Sequence, residues 1–189
     1  MMDPRPTFPN MYHPSRNRRN LNFKGSAKYY TRTARPTKYF LVDFGLSRKY
    51  NPEDGEPREI PIKGGDKTVP EFQGRGEFRP CNPFPTDIYY LGNMIREDFL
   101  QQTRGVEFME PLVNDMVQDD PLKRPNIDEV VRRFEEITRK LSSWKLRSRL
   151  VVLEEKEYPV VMVLRTIHHF FRTFAHVLMF RNPLPRPRV

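Results

Sequence analysis

The chain has 189 residues and a mass of 22.6 kDa, which allows one domain, or one domain with an appendage. Hydrophobic residues make up 37%, and the mean hydropathy is −0.74, so the core is modest. Nine Gly exclude a collagen-like chain, and 12% aromatic residues argue against full disorder. The single cysteine, Cys81, excludes an internal disulfide framework and a cysteine-based zinc site.

The net charge of +9 is unevenly distributed. Residues 1–50 carry 11 Lys and Arg against 2 Asp and Glu, residues 51–140 carry 13 against 19, and residues 141–189 carry 9 against 3. Basic ends suggest nucleic acid or an anionic surface, but the acidic middle argues against a nucleic-acid partner. The chain opens without a signal-peptide pattern, which predicts an intracellular protein, cytoplasmic or nuclear.

The first half of the chain predicts mostly loop. Residues 3–37 are basic and rich in proline, and residues 46–85 again lack an apolar period. Between them, residues 39–42 form an apolar and aromatic run that stops before Gly45. We expect this run to be a buried strand that pairs with residues 1–2 in a short β-hairpin.

The second half predicts helices, so the expected fold class is mainly α. Thr86 is a candidate cap for a helix over 87–100, and Pro111 suits the start of a helix over 111–118. Asn126 is expected to cap a helix over 126–140, with Glu129 at the box position.

The composition changes near residue 140, which predicts a helical domain over 1–140 and a C-terminal extension over 141–189. Within the extension, residues 158–180 predict an amphipathic helix with a wide apolar face. That face must be covered by the helical domain, by another copy of the chain, or by a bilayer. We expect protein to cover it, since the linker at Trp144 and at Tyr158-Pro159 could fold back. Four cations could instead meet lipid headgroups: Lys156, Arg165, Arg172 and Arg181.

Four short motifs follow one another in the order found in a known family. They are Asp43-Phe44-Gly45, Val69-Pro70-Glu71, Asp87-Ile88-Tyr89-Tyr90-Leu91-Gly92, and Asp120-Pro121-Leu122-Lys123-Arg124-Pro125. Taken together they resemble the C-terminal lobe of eukaryotic protein kinases. The stretches around Glu71, Asp87 and Arg124 are further similar to a group of fungal kinase-like proteins. The resemblance covers about residues 1–140.

The resemblance implies roles for these residues. Asp43, with Phe44 and Gly45, would be the ligand for the Mg²⁺ of ATP. Pro70 and Glu71 would close the activation segment, and Arg124 would pair with Glu71. The remaining matches, Asp87, Tyr89 and Gly92, would begin the central helix. Thr68 could be a phosphosite or a hydroxyl of the loop that receives the substrate.

The printed sequence contains no Gly-rich phosphate loop, no strand Lys and no His-Arg-Asp catalytic loop. We therefore expect a kinase fragment whose parent transfers the γ-phosphate of ATP to Ser or Thr of a protein substrate. The isolated chain would have no catalytic base, no activity and no tight binding of Mg²⁺ or ATP. Two alternatives stay open: a noncatalytic kinase-like interaction module, and a basic protein that binds membrane surfaces or nucleic acid.

Overall fold

The computed structural model describes residues 1–62, 65–154 and 158–184. The protein is mainly helical, with one two-stranded antiparallel sheet among these residues. The elements in chain order are α1 (Pro83–Ile95), β1 (Thr103–Arg104), α2 (Glu110–Met116), α3 (Ile127–Lys140), α4 (Ser143–Leu146), β2 (Val151–Val152) and α5 (Pro159–Leu178). The mainly helical class predicted from the sequence is confirmed.

The chain divides into two compact units. One comprises residues 1–47 with residues 180–184, and the other comprises the described residues between Arg48 and Met179. The predicted division at residue 140 follows composition and the family resemblance, and it stays a prediction.

In the first unit, residues 1–2 pair with residues near 39, as predicted, but through a single bridge instead of a β-hairpin. Met2 and Tyr39 form an isolated antiparallel bridge, and Phe40 N–H donates to the Met1 carbonyl at 2.8 Å. The expectation of a buried strand over 39–42 is wrong, because Leu41 is 85% exposed and its neighbours are at least half exposed. An apolar run alone does not specify burial, since a strand needs a covered face to be buried.

The core of the second unit lies between α1, α2 and α3. Ile88, Leu112, Met116 and Val130 form a buried cluster, and Leu91 and Ile137 pack against it. Helix α2 begins beside Pro111, as predicted, and Asn126 caps α3 by accepting from the Glu129 N–H. Both predictions are confirmed because the caps are local signals.

Helix α1 starts earlier than the sequence predicts. Asn82 is its cap, and its side chain accepts from the Phe84 N–H at 3.0 Å. The predicted cap Thr86 therefore lies inside the helix, and Asp87 is its fifth residue instead of a residue at its N-terminus. The α-helical hydrogen bonding ends at Ile95, and one turn of π-helix follows over Arg96–Leu100.

The sheet formed by β1 and β2 was not predicted. Thr103 pairs with Val152, and Arg104 pairs with Val151. No helix among the described residues is long and apolar enough to cross a membrane.

Candidate functional site

A buried ion pair joins Glu71 to Arg124 across 53 residues of sequence. Arg124 Nη1 donates to Glu71 Oε1 at 2.8 Å, and Nη2 donates to Oε2 at 2.7 Å. The Arg124 side chain is 0% exposed and the Glu71 side chain is 12% exposed. The planar guanidinium matches the two carboxylate oxygens, which a lysine could not do. The pair ties the segment before α1 to the turn between α2 and α3.

Arg124 is held by more than the carboxylate. Its Nε donates to the Gln118 carbonyl at 2.8 Å, and Nη1 also donates to the Pro85 carbonyl at 3.1 Å. The guanidinium carbon lies 4.9 Å from the centre of the Tyr89 ring. These contacts compensate for taking the charge out of water, which is costly for an isolated buried cation.

The carboxylate of Glu71 is stabilised in its charged form. Burial raises the pKa of Glu71, but the hydrogen bonds and charge of Arg124, a backbone hydrogen bond and, least, the hydrogen bond from Thr86 outweigh burial, so the net pKa is lowered. Thr86 Oγ1 donates to Glu71 Oε1 at 2.9 Å. Thr86, predicted to be a helix cap, therefore holds Glu71.

A row of polar side chains on α1, which we call the α1 stripe, holds the segment 66–73. The stripe consists of Thr86, Tyr89 and Asn93, at spacings of three and four residues that place them on one helix face. Tyr89 Oη donates to the Thr68 carbonyl at 3.2 Å. Asn93 Nδ2 donates to Asp66 and, at 3.2 Å, to Thr68 Oγ1. With Thr86 on Glu71, the stripe fixes three points of this segment.

Thr68, the candidate phosphosite, already has hydrogen-bond partners. Its hydroxyl donates to Asp66 Oδ1 at 2.7 Å, and Val69 beside it is fully buried. Burial raises the pKa of Asp66, but hydrogen bonds from Thr68 and Asn93 outweigh burial and lower it. A phosphate on Thr68 would lie next to this carboxylate, so it would have to break the local arrangement.

Two glycines permit close approaches within the site. A Cβ on Gly92 would lie 2.7 Å from Met116 Cβ, so the absence of a side chain lets α1 and α2 pack closely. A Cβ on Gly76 would overlap the Glu71 carbonyl, so Gly76 allows the chain to turn back over Glu71. The resemblance singled out Gly92, whereas no sequence pattern pointed to Gly76.

An apolar groove lies beside the ion pair on another side of α1. It has a volume of about 620 Å³, and we call it the α1 groove. Its lining includes Phe84, Asp87, Leu91, Ile127 and Arg124. Asp87 is exposed, but the apolar surroundings partly desolvate its carboxyl and raise its pKa, and no hydrogen bond to that carboxyl is found within residues 1–62, 65–154 and 158–184. The groove therefore combines apolar walls with one acidic group that can accept hydrogen bonds.

The Asp43-Phe44-Gly45 motif belongs to the first unit. Asp43 has a φ of 65°, which aspartate tolerates better than most residues, and it precedes a single 3-10 turn over Phe44–Leu46. Asp43 is exposed, and Phe44 is 63% exposed. In the part of the chain that the structure describes, no three His, Cys, Asp or Glu residues cluster as metal ligands. Asp43 alone does not make a Mg²⁺ site, so the predicted metal and ATP sites stay predictions.

Asp66, Gly76 and Asn93 belong to the site but were not predicted from the sequence. A usable signal was present for Asn93, because a polar residue seven positions after Thr86 and four after Tyr89 lies on the same helix face. Such a polar row on a helix that also carries core residues indicates a polar segment packed against it.

Comparison of the chain with models of protein families, with curated proteins and with solved structures finds no match. The family resemblance therefore rests on the residues themselves.

Proposed function

We propose that this chain is the helical lobe of a protein-kinase-like protein. In the intact parent, that lobe would support transfer of the γ-phosphate of ATP to Ser or Thr of a protein substrate. The observation that carries the proposal is the buried pair of Glu71 and Arg124, with both guanidinium arms on the carboxylate. The motif order assigns this pair to the end of an activation segment. Its bidentate geometry and burial are what such an anchor needs to keep a substrate loop in place.

The segment 66–73 is the candidate substrate-facing loop. Hydrogen bonds from the α1 stripe hold one side of this segment, while Lys67 and Thr68 are exposed. A loop that is anchored on one side and open on the other can present its backbone to a peptide without losing its shape.

The α1 groove is the candidate binding site for the catalytic loop of the parent protein. The resemblance assigns Asp87 the role of bracing that loop. Its carboxyl borders an apolar groove in which desolvation raises its pKa, so backbone N–H donors supplied there would stabilise its charged form.

A noncatalytic interaction module is the second candidate. The α1 groove supports it, because a groove of about 620 Å³ with mostly apolar walls and one carboxylate can hold a docked peptide. The printed sequence supplies no catalytic base, so in both cases the isolated chain is expected to be inactive.

The deciding experiment uses the coding sequence upstream of Met1 and the protein that the intact gene encodes. We expect the upstream sequence to encode His-Arg-Asp-x-x-x-x-Asn, and the intact product to phosphorylate a protein substrate. Asp43→Ala should abolish the transfer, while Asp54→Ala, which changes an exposed carboxylate at the end of a different 3-10 turn, should leave it intact. An upstream sequence without this motif, or transfer that survives Asp43→Ala, would contradict the kinase proposal.

A further inference from the structure

Helix α5 exposes a continuous apolar face. Six large side chains recur at spacings of four and three residues, which places them on one side of the helix. We call them the α5 apolar face: Val160, Leu164, Ile167, Phe171, Phe174 and Leu178. Each is at least 46% exposed, and Phe171 is 65% exposed. Its own unit therefore leaves this face uncovered, and the expectation that protein covers it stays a prediction as far as a second copy is concerned.

The side of α5 that contacts the chain is its polar side. Thr173 is the buried residue of the helix, and its hydroxyl lies 3.4 Å from His169 Nε2. One turn further on, His176 Nδ1 lies 3.4 Å from Arg147 Nη1. Trp144 stacks on Phe170, at the border of the apolar side, with ring centres 6.0 Å apart. Because the polar side points inward, the α5 apolar face points away from its own unit.

The charges of this region have one sign. Residues 158–189 contain no Asp or Glu, and Arg165 and Arg172 lie seven residues apart on the polar side of the helix. A second copy packed on α5 would bring like charges together, which disfavours self-association. An anionic surface would attract them instead.

We propose that α5 binds the surface of an anionic lipid bilayer and lies in the plane of the interface. The α5 apolar face enters the acyl boundary, and the arginines remain at headgroup level. A helix of 20 residues is about 30 Å long, and it lies flat because its polar side cannot enter hydrocarbon. This inference does not depend on the proposed kinase-like function.

The test uses the full 189-residue chain with vesicles of phosphatidylcholine, with and without roughly 30% phosphatidylserine. We expect co-sedimentation with the anionic vesicles, weaker binding to the neutral ones, and loss of binding in about 0.5 M salt because of screening. Trp144 is the only tryptophan of the chain and contacts Phe170, so its emission should shift to the blue on binding.

Matched variants separate the apolar and the charged contributions. Ile167→Gln/Phe171→Gln should abolish binding, whereas Leu122→Gln, at a side chain 89% exposed outside α5, should leave it unchanged. Arg165→Gln/Arg172→Gln should weaken binding to anionic vesicles by roughly fivefold for each arginine removed.

Three outcomes would overturn the proposal. The first is no binding to either vesicle. The second is equal binding to neutral and anionic vesicles without salt dependence. The third is a concentration-dependent dimer, seen by analytical ultracentrifugation, that Ile167→Gln/Phe171→Gln dissociates, which would assign the face to a second copy.

Discussion

Replacing Arg124 by alanine should destabilise the second unit more than the loss of any exposed arginine. The substitution removes both hydrogen bonds to Glu71 and the hydrogen bonds to the carbonyls of Gln118 and Pro85. Glu71 would keep Thr86 as a donor, but its carboxylate is 12% exposed and would lose its counter-charge. The dominant cost is thus a carboxylate left without its cation.

Arg124→Ala is expected to lower the free energy of unfolding by about 3–5 kcal/mol, the usual cost of removing one partner of a buried ion pair. Domains of this size unfold with about 5–15 kcal/mol, so Arg124→Ala removes a large share of the stability. The free energy of unfolding of Arg124→Lys should lie between those of the parent and Arg124→Ala, because an ammonium keeps the charge but cannot bind both carboxylate oxygens. Glu71→Gln/Arg124→Met should cost less than Arg124→Ala, since neither charge then remains buried.

Urea unfolding followed by circular dichroism measures these differences. Arg132→Ala is the matched control, because Arg132 pairs with Glu129 and Glu136 on α3 but its side chain is 57% exposed. Exposed pairs contribute about 0–1 kcal/mol, so this variant should unfold close to the parent. If Arg124→Ala unfolds at the same urea concentration as Arg132→Ala, the buried pair is not a structural anchor.

Further predictions concern the helix contact, the α1 stripe and pH. Gly92→Ala should lower the free energy of unfolding by about 1–3 kcal/mol, because overpacking against α2 outweighs the higher helix propensity of alanine. Met94→Ala, on the exposed side of α1, should be nearly neutral, and a Gly92→Ala variant more stable than the parent would contradict the close packing. Asn93→Ala should cost about 1–3 kcal/mol and speed amide exchange in 66–68, and unchanged exchange there would count against the stripe. Because folding lowers the pKa of Glu71, the contribution of Glu71 to the free energy of unfolding should be complete above about pH 4.3, its unfolded pKa. That contribution should disappear as the pH falls through the pKa of the folded state, and Glu71→Gln should lack this step. Burial, then the nearby Arg172 charge, lowers the pKa of His169, so stability should also fall below about pH 6.5 and level off beneath the folded pKa, a step that His169→Gln should remove.

Local signals allowed α2, α3 and α5 to be predicted from the sequence, because a proline in the first turn, a capping asparagine and an apolar period each act within a few residues. The start of α1 was placed too late, although Pro83 suits a first turn that needs no backbone donor. The pairing of β1 with β2 left no signal, since two-residue strands separated by nearly fifty positions carry no period.

The Glu71–Arg124 pair was expected only through the motif order, because nothing local to either residue specifies a partner 53 positions away. Asp66 was missed for the same reason, whereas Asn93 had a local signal that did not identify its partner. A helix pattern shows that a polar face exists, but it does not show which distant segment that face holds. Such contacts follow from the tertiary packing of 66–73 on α1.

Helix α1 presents three different faces, and this division explains its composition. Gly92 faces α2, the α1 stripe faces the segment 66–73, and Phe84 and Asp87 line the α1 groove. Ile88 and Leu91 lie at the border between the groove and the core. A helix needs only one apolar face to pack, so the exposed Asp87 carboxyl in the apolar α1 groove exceeds what folding alone requires. Arg124 lies beside two of these faces, because it binds Glu71 next to the α1 stripe and is one of the residues that line the α1 groove. A ligand or chain segment in the α1 groove would therefore lie next to the residue that anchors the segment 66–73.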